Sequence, residues 1–281
     1  MKGQIVKIVS NDYTVECDSI KYVCKSRGIF RHNKITPLVG DFVMFDKDKL
    51  LIEDILDRKN SIKRPPVSNI DQAFIVSSVK VPEFTPNLVD KLIVQLELNN
   101  IEPIIIITKV DLIDEIKLKE LTPIFDYYKN LGYKVFFNTE LDKIKELFKD
   151  KVTVFTGQTG AGKSHLLNML DVNLNLETGE VSESLGRGRH TTRVVSLYDL
   201  YGGKVLDTPG FSSLDLFEFT EEDIRSCFKE FYMYPCKYKD CTHTKEGECV
   251  IKDLVNKGEI LESRYKSYLG LIEDIKNNRR Y

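Results

Sequence analysis

Gly157-Gln158-Thr159-Gly160-Ala161-Gly162-Lys163-Ser164 has the spacing of a loop that wraps a phosphate. Its glycines free the backbone, so that successive N–H groups can point at one anion. A helix starting at its end would turn a positive terminus towards the same anion. Lys163 is spaced to reach the β- and γ-phosphates of a nucleoside triphosphate, and the Ser164 hydroxyl to coordinate Mg²⁺. The plainer alternative is a glycine-rich structural turn. The context argues against it: the apolar run Val152–Phe155 precedes the loop, and an amphipathic stretch, Ser164–Leu170, follows. The motif binds a nucleotide without naming its base.

Thr108-Lys109-Val110-Asp111 follows the apolar run Ile104–Ile107 directly. A carboxylate at Asp111 can accept both N1–H and the exocyclic amine of guanine, a donor pair that adenine lacks. A buried polar site of this kind rejects the wrong base strongly, because its charge is then left unpaired. The Lys109 stem can cover the base plane. Asp207-Thr208-Pro209-Gly210 ends another strand-like run, where Asp207 can hold Mg²⁺ through water and the Gly210 N–H can sense a γ-phosphate. Between these motifs lies Gly186-Arg187-Gly188-Arg189-His190-Thr191-Thr192-Arg193, the composition of a loop beside a triphosphate. Thr192 is the candidate for a second Mg²⁺ ligand, with Thr191 nearly as good.

Catalysis falls to Lys163, Thr192 and His190. Phe211 stands where many GTPases keep a water-positioning Gln, and a phenyl ring cannot orient water. Unaided turnover is therefore expected to be slow, on the order of 10⁻⁴–10⁻² s⁻¹. His190 is the candidate water-orienting group, since an imidazole works near neutral pH; a loop residue touching phosphate or RNA is the competing reading. Cys236-x₄-Cys241-x-His243-x₅-Cys249 supplies three thiolates and one imidazole, the donor set of a closed structural Zn²⁺ site. Cys17, Cys24 and Cys227 read as packing residues.

The elements that must hold these groups divide the chain in three. Residues 1–65 show five short alternating runs (around Gln4–Val9, Tyr13–Cys17, Lys21–Cys24, Phe42–Phe45 and Leu50–Glu53). They predict a small OB-like barrel, with an SH3-like barrel reading much the same. Pro65-Pro66 reads as a stiff linker. From Asp71 strands alternate with helices, which predicts βαβ units and a mostly parallel sheet through residue 215. Val194–Tyr198 and Lys204–Leu206, joined at Gly202-Gly203, predict an edge hairpin. Residues 216–281 turn helical and charged (Thr220–Phe231, Leu261–Lys276) around the cysteines.

The chain has 281 residues, 42% hydrophobic and 30% charged, with a net charge of −2. That composition excludes wholesale disorder. No window approaches the roughly 20 apolar residues of a membrane span. The start, Met1-Lys2-Gly3-Gln4, shows no secretory leader, so a cytoplasmic address and reduced cysteines are expected. Residues 1–65 carry 13 basic against 9 acidic side chains, a mild bias towards a phosphate-rich partner. Arg27, Arg31, Lys34 and Arg64 are the candidate contacts to the phosphates of such a partner, with a solvated loop face as the bland reading.

Together these motifs resemble the RsgA family (also called YjeQ or YloQ), the circularly permuted GTPases of bacteria that depend on the small ribosomal subunit. The likeness spans essentially the whole chain. It rests on Thr108–Asp111, Gly157–Ser164, Gly188–Thr192, Asp207–Gly210 and the cysteine cluster. It implies an OB-fold barrel over 1–65, a circularly permuted P-loop GTPase core of α/β class over 66–215, and a small helical zinc-binding domain over 216–281. It implies GTP hydrolysis stimulated by the small subunit and a role in late assembly of that subunit. From the residues themselves a nucleotide-gated switch that binds and releases rRNA is expected, in a protein that works as a monomer. Two departures stand out. Thr108 replaces the commoner Asn, which predicts a weaker link to the phosphate loop. Asn138-Thr139 stands where a Ser-Ala element would approach the guanine carbonyl.

The base-reading motif precedes the phosphate loop, the reverse of most GTPases. A doubly wound fold tolerates this, because its natural ends lie close together. Since Asp207–Gly210 feeds the cysteine-rich segment, γ-phosphate loss is expected to reposition that segment. Two rivals remain: an RNA-binding protein with a vestigial GTPase core, disfavoured by Lys163, Ser164 and Asp207, and an ATP-dependent kinase, disfavoured by Asp111. Replacing His190 with Ala is expected to abolish subunit-stimulated hydrolysis and spare GTP binding.

Overall fold

The computed structural model describes residues 1–27, 30, 36–63, 65–171, 195–206, 216 and 218–278. Five strands close a barrel: β1 (Lys2–Val9), β2 (Asp12–Cys17), β3 (Ile20–Ser26), β4 (Phe42–Asp46) and β5 (Leu51–Ile55). Their order is β1-β2-β3-β5-β4, with β1 pairing β4 and β3 running parallel to β5. The alternation read from sequence sends Ile5, Val15, Cys24, Val43, Phe45 and Ile52 inside. This is the five-stranded OB-like barrel rather than its SH3-like rival.

The two prolines are not a linker. β6 (Ser61–Lys63) and β7 (Pro66–Ser68) pair as a short hairpin that turns at Pro65. Pro66 opens its strand, a position that needs no ladder N–H.

Next comes a six-stranded sheet in the order β10-β9-β8-β11-β13-β12. Its strands are β8 (Gln72–Ser78), β9 (Glu102–Thr108), β10 (Lys134–Phe137), β11 (Val152–Thr156), β12 (Leu197–Leu200) and β13 (Gly203–Leu206). All neighbours are parallel except the edge pair β12–β13. Ile104–Ile107 are wholly buried, as a parallel strand covered on both faces must be. Helices α1 (Pro86–Leu98), α2 (Glu115–Asn130), α3 (Leu141–Glu146) and α4 (Lys163–Leu170) cover it. The edge hairpin turns one residue earlier than its glycines imply, at Tyr201-Gly202, both at positive φ as a two-residue hairpin turn prefers.

The C-terminal segment holds α5 (Glu221–Ser226), a 3₁₀ turn (Lys229–Tyr232), α6 (Val250–Asn256) and α7 (Glu262–Asn278). The sequence predicts one helix from Thr220 to Phe231. Instead α5 starts at a Thr220/Asp223 capping box and stops at Ser226. The tighter turn that follows stacks Phe228 on Phe231, 5.3 Å between ring centres, and buries both. The apolar core of this segment also takes in Val94 of α1. Among the described residues no helix is long and apolar enough to cross a membrane.

Candidate functional site

The phosphate loop and the base-reading motif end two strands of one sheet, on the edge where such sheets receive ligands. β11 is fully buried and delivers Gly157 at φ +126°. A Cβ there would lie 2.1 Å from the Val76 carbonyl oxygen, so only glycine lets the loop leave so close to β8. Gly160 and Gly162 also sit at positive φ. Lys163 opens α4, and its Nζ donates to the carbonyls of Gly157 (2.8 Å) and Gln158 (2.9 Å). Burial lowers the Lys163 pKa from its ordinary value, a cost that an adjacent phosphate would offset. Ser164 follows on the same first turn.

β9 ends at Thr108. Its hydroxyl donates to the Ala161 carbonyl at 2.6 Å. The link that the Asn-to-Thr departure was expected to weaken is therefore made, by a shorter side chain. Lys109 adopts the left-handed conformation, and its Nζ donates to the carbonyls of Gly160 (2.8 Å) and Val81. Val110–Leu112 then form a 3₁₀ turn that leaves Asp111 exposed. Stretches around Lys109 and Lys163, far apart in sequence, thus meet on one crest.

Sequence reasoning missed the segment between β8 and α1. Lys80 Nζ donates to the Leu112 carbonyl at 2.9 Å, and the Ser78 hydroxyl to the Lys80 carbonyl at 2.6 Å. This segment braces the base-reading turn. Its signal was position alone: it leaves the C-terminal end of a central strand.

Asn138 ends β10 beside Thr108, its N–H donating to the Ile107 carbonyl at 2.8 Å. Its side-chain oxygen is buried without a hydrogen-bond partner among the described residues, and Thr139 is exposed. Arg27 forms an exposed ion pair with Glu53 at 3.1 Å. His190, Thr191, Thr192, Asp207, Gly210, Phe211, Arg31, Lys34 and Arg64 lie outside the described residues.

Cys236, Cys241, His243 and Cys249 converge, their ligand atoms all within 4.8 Å of one another. A tetrahedral ion with bonds of about 2.3 Å to sulfur and 2.0–2.1 Å to nitrogen has edges of about 3.8 Å (S–S) and about 3.5 Å (S–N). The cluster shows 3.8 and 4.0 Å between sulfurs, and 3.4 and 3.5 Å from His243 Nδ1 to sulfur. Four of the six edges thus match one tetrahedral metal ion, and all six lie within 4.8 Å. Burial lowers the His243 pKa, which keeps its ring neutral as a ligand must be. Burial pushes the Cys241 thiol up to about 12, a tendency that a bound cation reverses.

The family model described as RsgA GTPase matches residues 55–217, and that described as RsgA N-terminal domain matches residues 2–50. The chain belongs to the RsgA GTPase family. Among curated members it is 45% identical to "Small ribosomal subunit biogenesis GTPase RsgA 2" of Oceanobacillus iheyensis, covering 99% of this chain and 98% of that protein. It is 46% identical to "Small ribosomal subunit biogenesis GTPase RsgA" of Enterococcus faecalis, covering 99% and 97%. A solved structure of YloQ, titled a circularly permuted GTPase, matches with TM-score 0.83 at 38% identity over 99% of this chain and 95% of that one. YjeQ from Thermotoga maritima matches with TM-score 0.84 at 34% identity over 98% of each. The order of motifs in this RsgA chain, base reader before phosphate loop, is that of a permuted GTPase core.

Proposed function

We propose that this chain hydrolyses GTP to GDP and phosphate, and acts as an assembly factor of the small ribosomal subunit. The names of its relatives support the second part. One observation carries the first. Thr108 and Lys109 bond the carbonyls of Ala161 and Gly160, so one nucleotide can touch both motifs. In this reading Thr108–Asp111 receive guanine, with Asp111 accepting from N1–H and the exocyclic amine. Gly157–Gly162 wrap the phosphates with their N–H groups, and Lys163 exchanges its loop carbonyls for the β- and γ-phosphate oxygens. Ser164, Thr192 and Asp207 hold Mg²⁺, which supplies charge neutralisation when bound. Gly210 contacts the γ-phosphate and His190 orients water.

The reading extends to the rest of the molecule. Cys236, Cys241, His243 and Cys249 hold one structural Zn²⁺, since thiolate-rich tetrahedral sites select that ion. Arg27, Arg31, Lys34 and Arg64 face rRNA phosphates, and binding to Arg27 would displace Glu53. The domains run close to 1–65, 66–215 and 216–281, with the β6–β7 hairpin lying across the first boundary, and the protein works as a cytoplasmic monomer.

The deciding experiment compares GTP and ATP turnover with and without purified small subunits. Slow GTP hydrolysis that the subunits accelerate, with no ATP turnover, is the expected result. Equal use of ATP, or indifference to the subunits, overturns the reading. Asp111→Asn is expected to move preference from guanosine to xanthosine nucleotides, measured by competition binding.

A further inference from the structure

Helix α7 carries two neighbouring stripes with different duties. Arg264 and Ser267 reach Asp90 of α1, at 2.8 and 2.6 Å. Tyr265 and Tyr268, each one position further, turn to the metal loop. Tyr265 Oη donates to the His243 carbonyl at 2.7 Å, and Tyr268 Oη to the Thr242 carbonyl at 2.6 Å. From α5, Arg225 Nη1 donates to the Cys241 carbonyl at 2.7 Å.

Three consecutive carbonyls, 241 to 243, each accept from a side chain on a helix, and two of the three belong to metal ligands. His243 itself sits at φ +58°. A residue with a Cβ holds that conformation only where its surroundings impose it. The surroundings here are the three helix donors and the Glu246 carboxylate, which accepts from the Thr242 and Thr244 N–H groups on either side of His243 (2.7 and 2.9 Å); all lie outside the ligand set.

We propose that Tyr265, Tyr268 and Arg225 are positioning residues for the metal. They hold the Cys241–His243 backbone in its ligating shape, so a cation does not have to order the loop as it binds. The inference rests on reading the four side chains as a metal site. Because the adjacent stripe of α7 is bonded to α1, the loop is braced against the α/β core and not only against its own segment.

The test uses the full-length chain loaded with Zn²⁺ or Co²⁺. Zn²⁺ affinity is read by competition with a chromogenic chelator, and Co²⁺ geometry by its visible ligand-field bands. Tyr265→Phe with Tyr268→Phe removes two hydroxyls and keeps both rings packed. That pair is expected to weaken Zn²⁺ binding by about 10–100-fold, the usual effect of losing outer-shell support, and to alter the Co²⁺ bands. Arg225→Met removes the third donor without touching α7 and is expected to shift both readouts the same way. Affinities within twofold of the unmodified chain and unchanged bands, even with a lowered melting temperature, overturn the proposal, since packing alone gives that result. An unmodified chain that takes up neither ion overturns the metal reading itself.

Discussion

Two joints connect the α/β core to its neighbours, and they are built from different material. The C-terminal joint centres on Arg264, which has no exposed surface. Its guanidinium donates to Asp90 of α1 (2.8 Å) and to both oxygens of Glu230 (2.8 and 3.2 Å). Asp90 is equally buried and also accepts from Tyr128 (2.6 Å) and Ser267 (2.6 Å). The barrel joint centres on Gly40, whose carbonyl accepts from Gln4 (3.2 Å) and Asn69 (3.0 Å). Its own buried carboxylate, Asp41, pairs with Arg58, whose side chain is 26% exposed. Around it run single β-bridges, Val39 to Val67 and Lys7 to Ser196.

The difference lies in what each joint can exchange with water. Amide-to-carbonyl bonds re-form with water at small net cost. A buried cation between two buried carboxylates cannot part from one of them without stranding charge. The C-terminal segment is therefore tied to α1, and α1 continues directly from the segment whose Val81 carbonyl holds Lys109. A γ-phosphate signal that repositions the C-terminal segment, as the chain order first implied, has to carry α1 with it.

The largest break in this comparison comes from Asp90→Ala. It leaves Arg264 short of one carboxylate and the Tyr128 hydroxyl without its acceptor, while Ser267 keeps Asn87 and Ser263 as acceptors. We expect a loss of about 3–5 kcal/mol of stability, read by chemical denaturation. A loss below about 1 kcal/mol would show that the joint does not depend on its buried charge.

Gly40→Ala tests the other joint. Gly40 sits at φ +94°, and a Cβ there would lie 2.1 Å from the Ser68 carbonyl oxygen. The conformation alone costs an L-residue about 1–2 kcal/mol, and the contact forces a further backbone shift. We expect less total damage than at Asp90, confined to the barrel side and visible as faster amide exchange in β1 and β7. Exchange that rises equally in α1 and α7 would deny that the two joints are separate.

The barrel, the phosphate loop and the cysteine set were legible in sequence because each is a local pattern. Five alternating runs make strands whatever lies beyond them, and Gly157–Ser164 is contiguous. Arg264 was not legible. It lies in a run read only as helical and charged, and only the fold brings Asp90, 174 positions away, against it. By residue type alone Thr108 predicts a weaker link than Asn. Whether a hydroxyl reaches Ala161 depends on the spacing of β9 and β11, which no local pattern records. Pro65-Pro66 was read as stiffness alone, since the pairing of β6 with β7 makes the prolines a turn only once both strands are in place.

The smallest expected effect sharpens the comparison most, because it asks whether charge as such or buried charge makes a joint firm. Lys204 bridges the barrel and the core, 2.6 Å from Glu16 and 2.7 Å from Asp199, with its side chain 18% exposed. It holds two acids apart as well as pairing with them. Glu16→Gln leaves the Lys204–Asp199 pair intact and should cost about 0.5 kcal/mol. Lys204→Met leaves Glu16 and Asp199 facing each other and should cost somewhat more, about 1 kcal/mol, reduced at high salt because water reaches the pair. Denaturation of both variants at low and high ionic strength checks the order and the salt response. A Lys204→Met loss as large as that of Asp90→Ala, and indifferent to salt, would mean that the barrel is locked to the core by charge in the same way as the C-terminal segment.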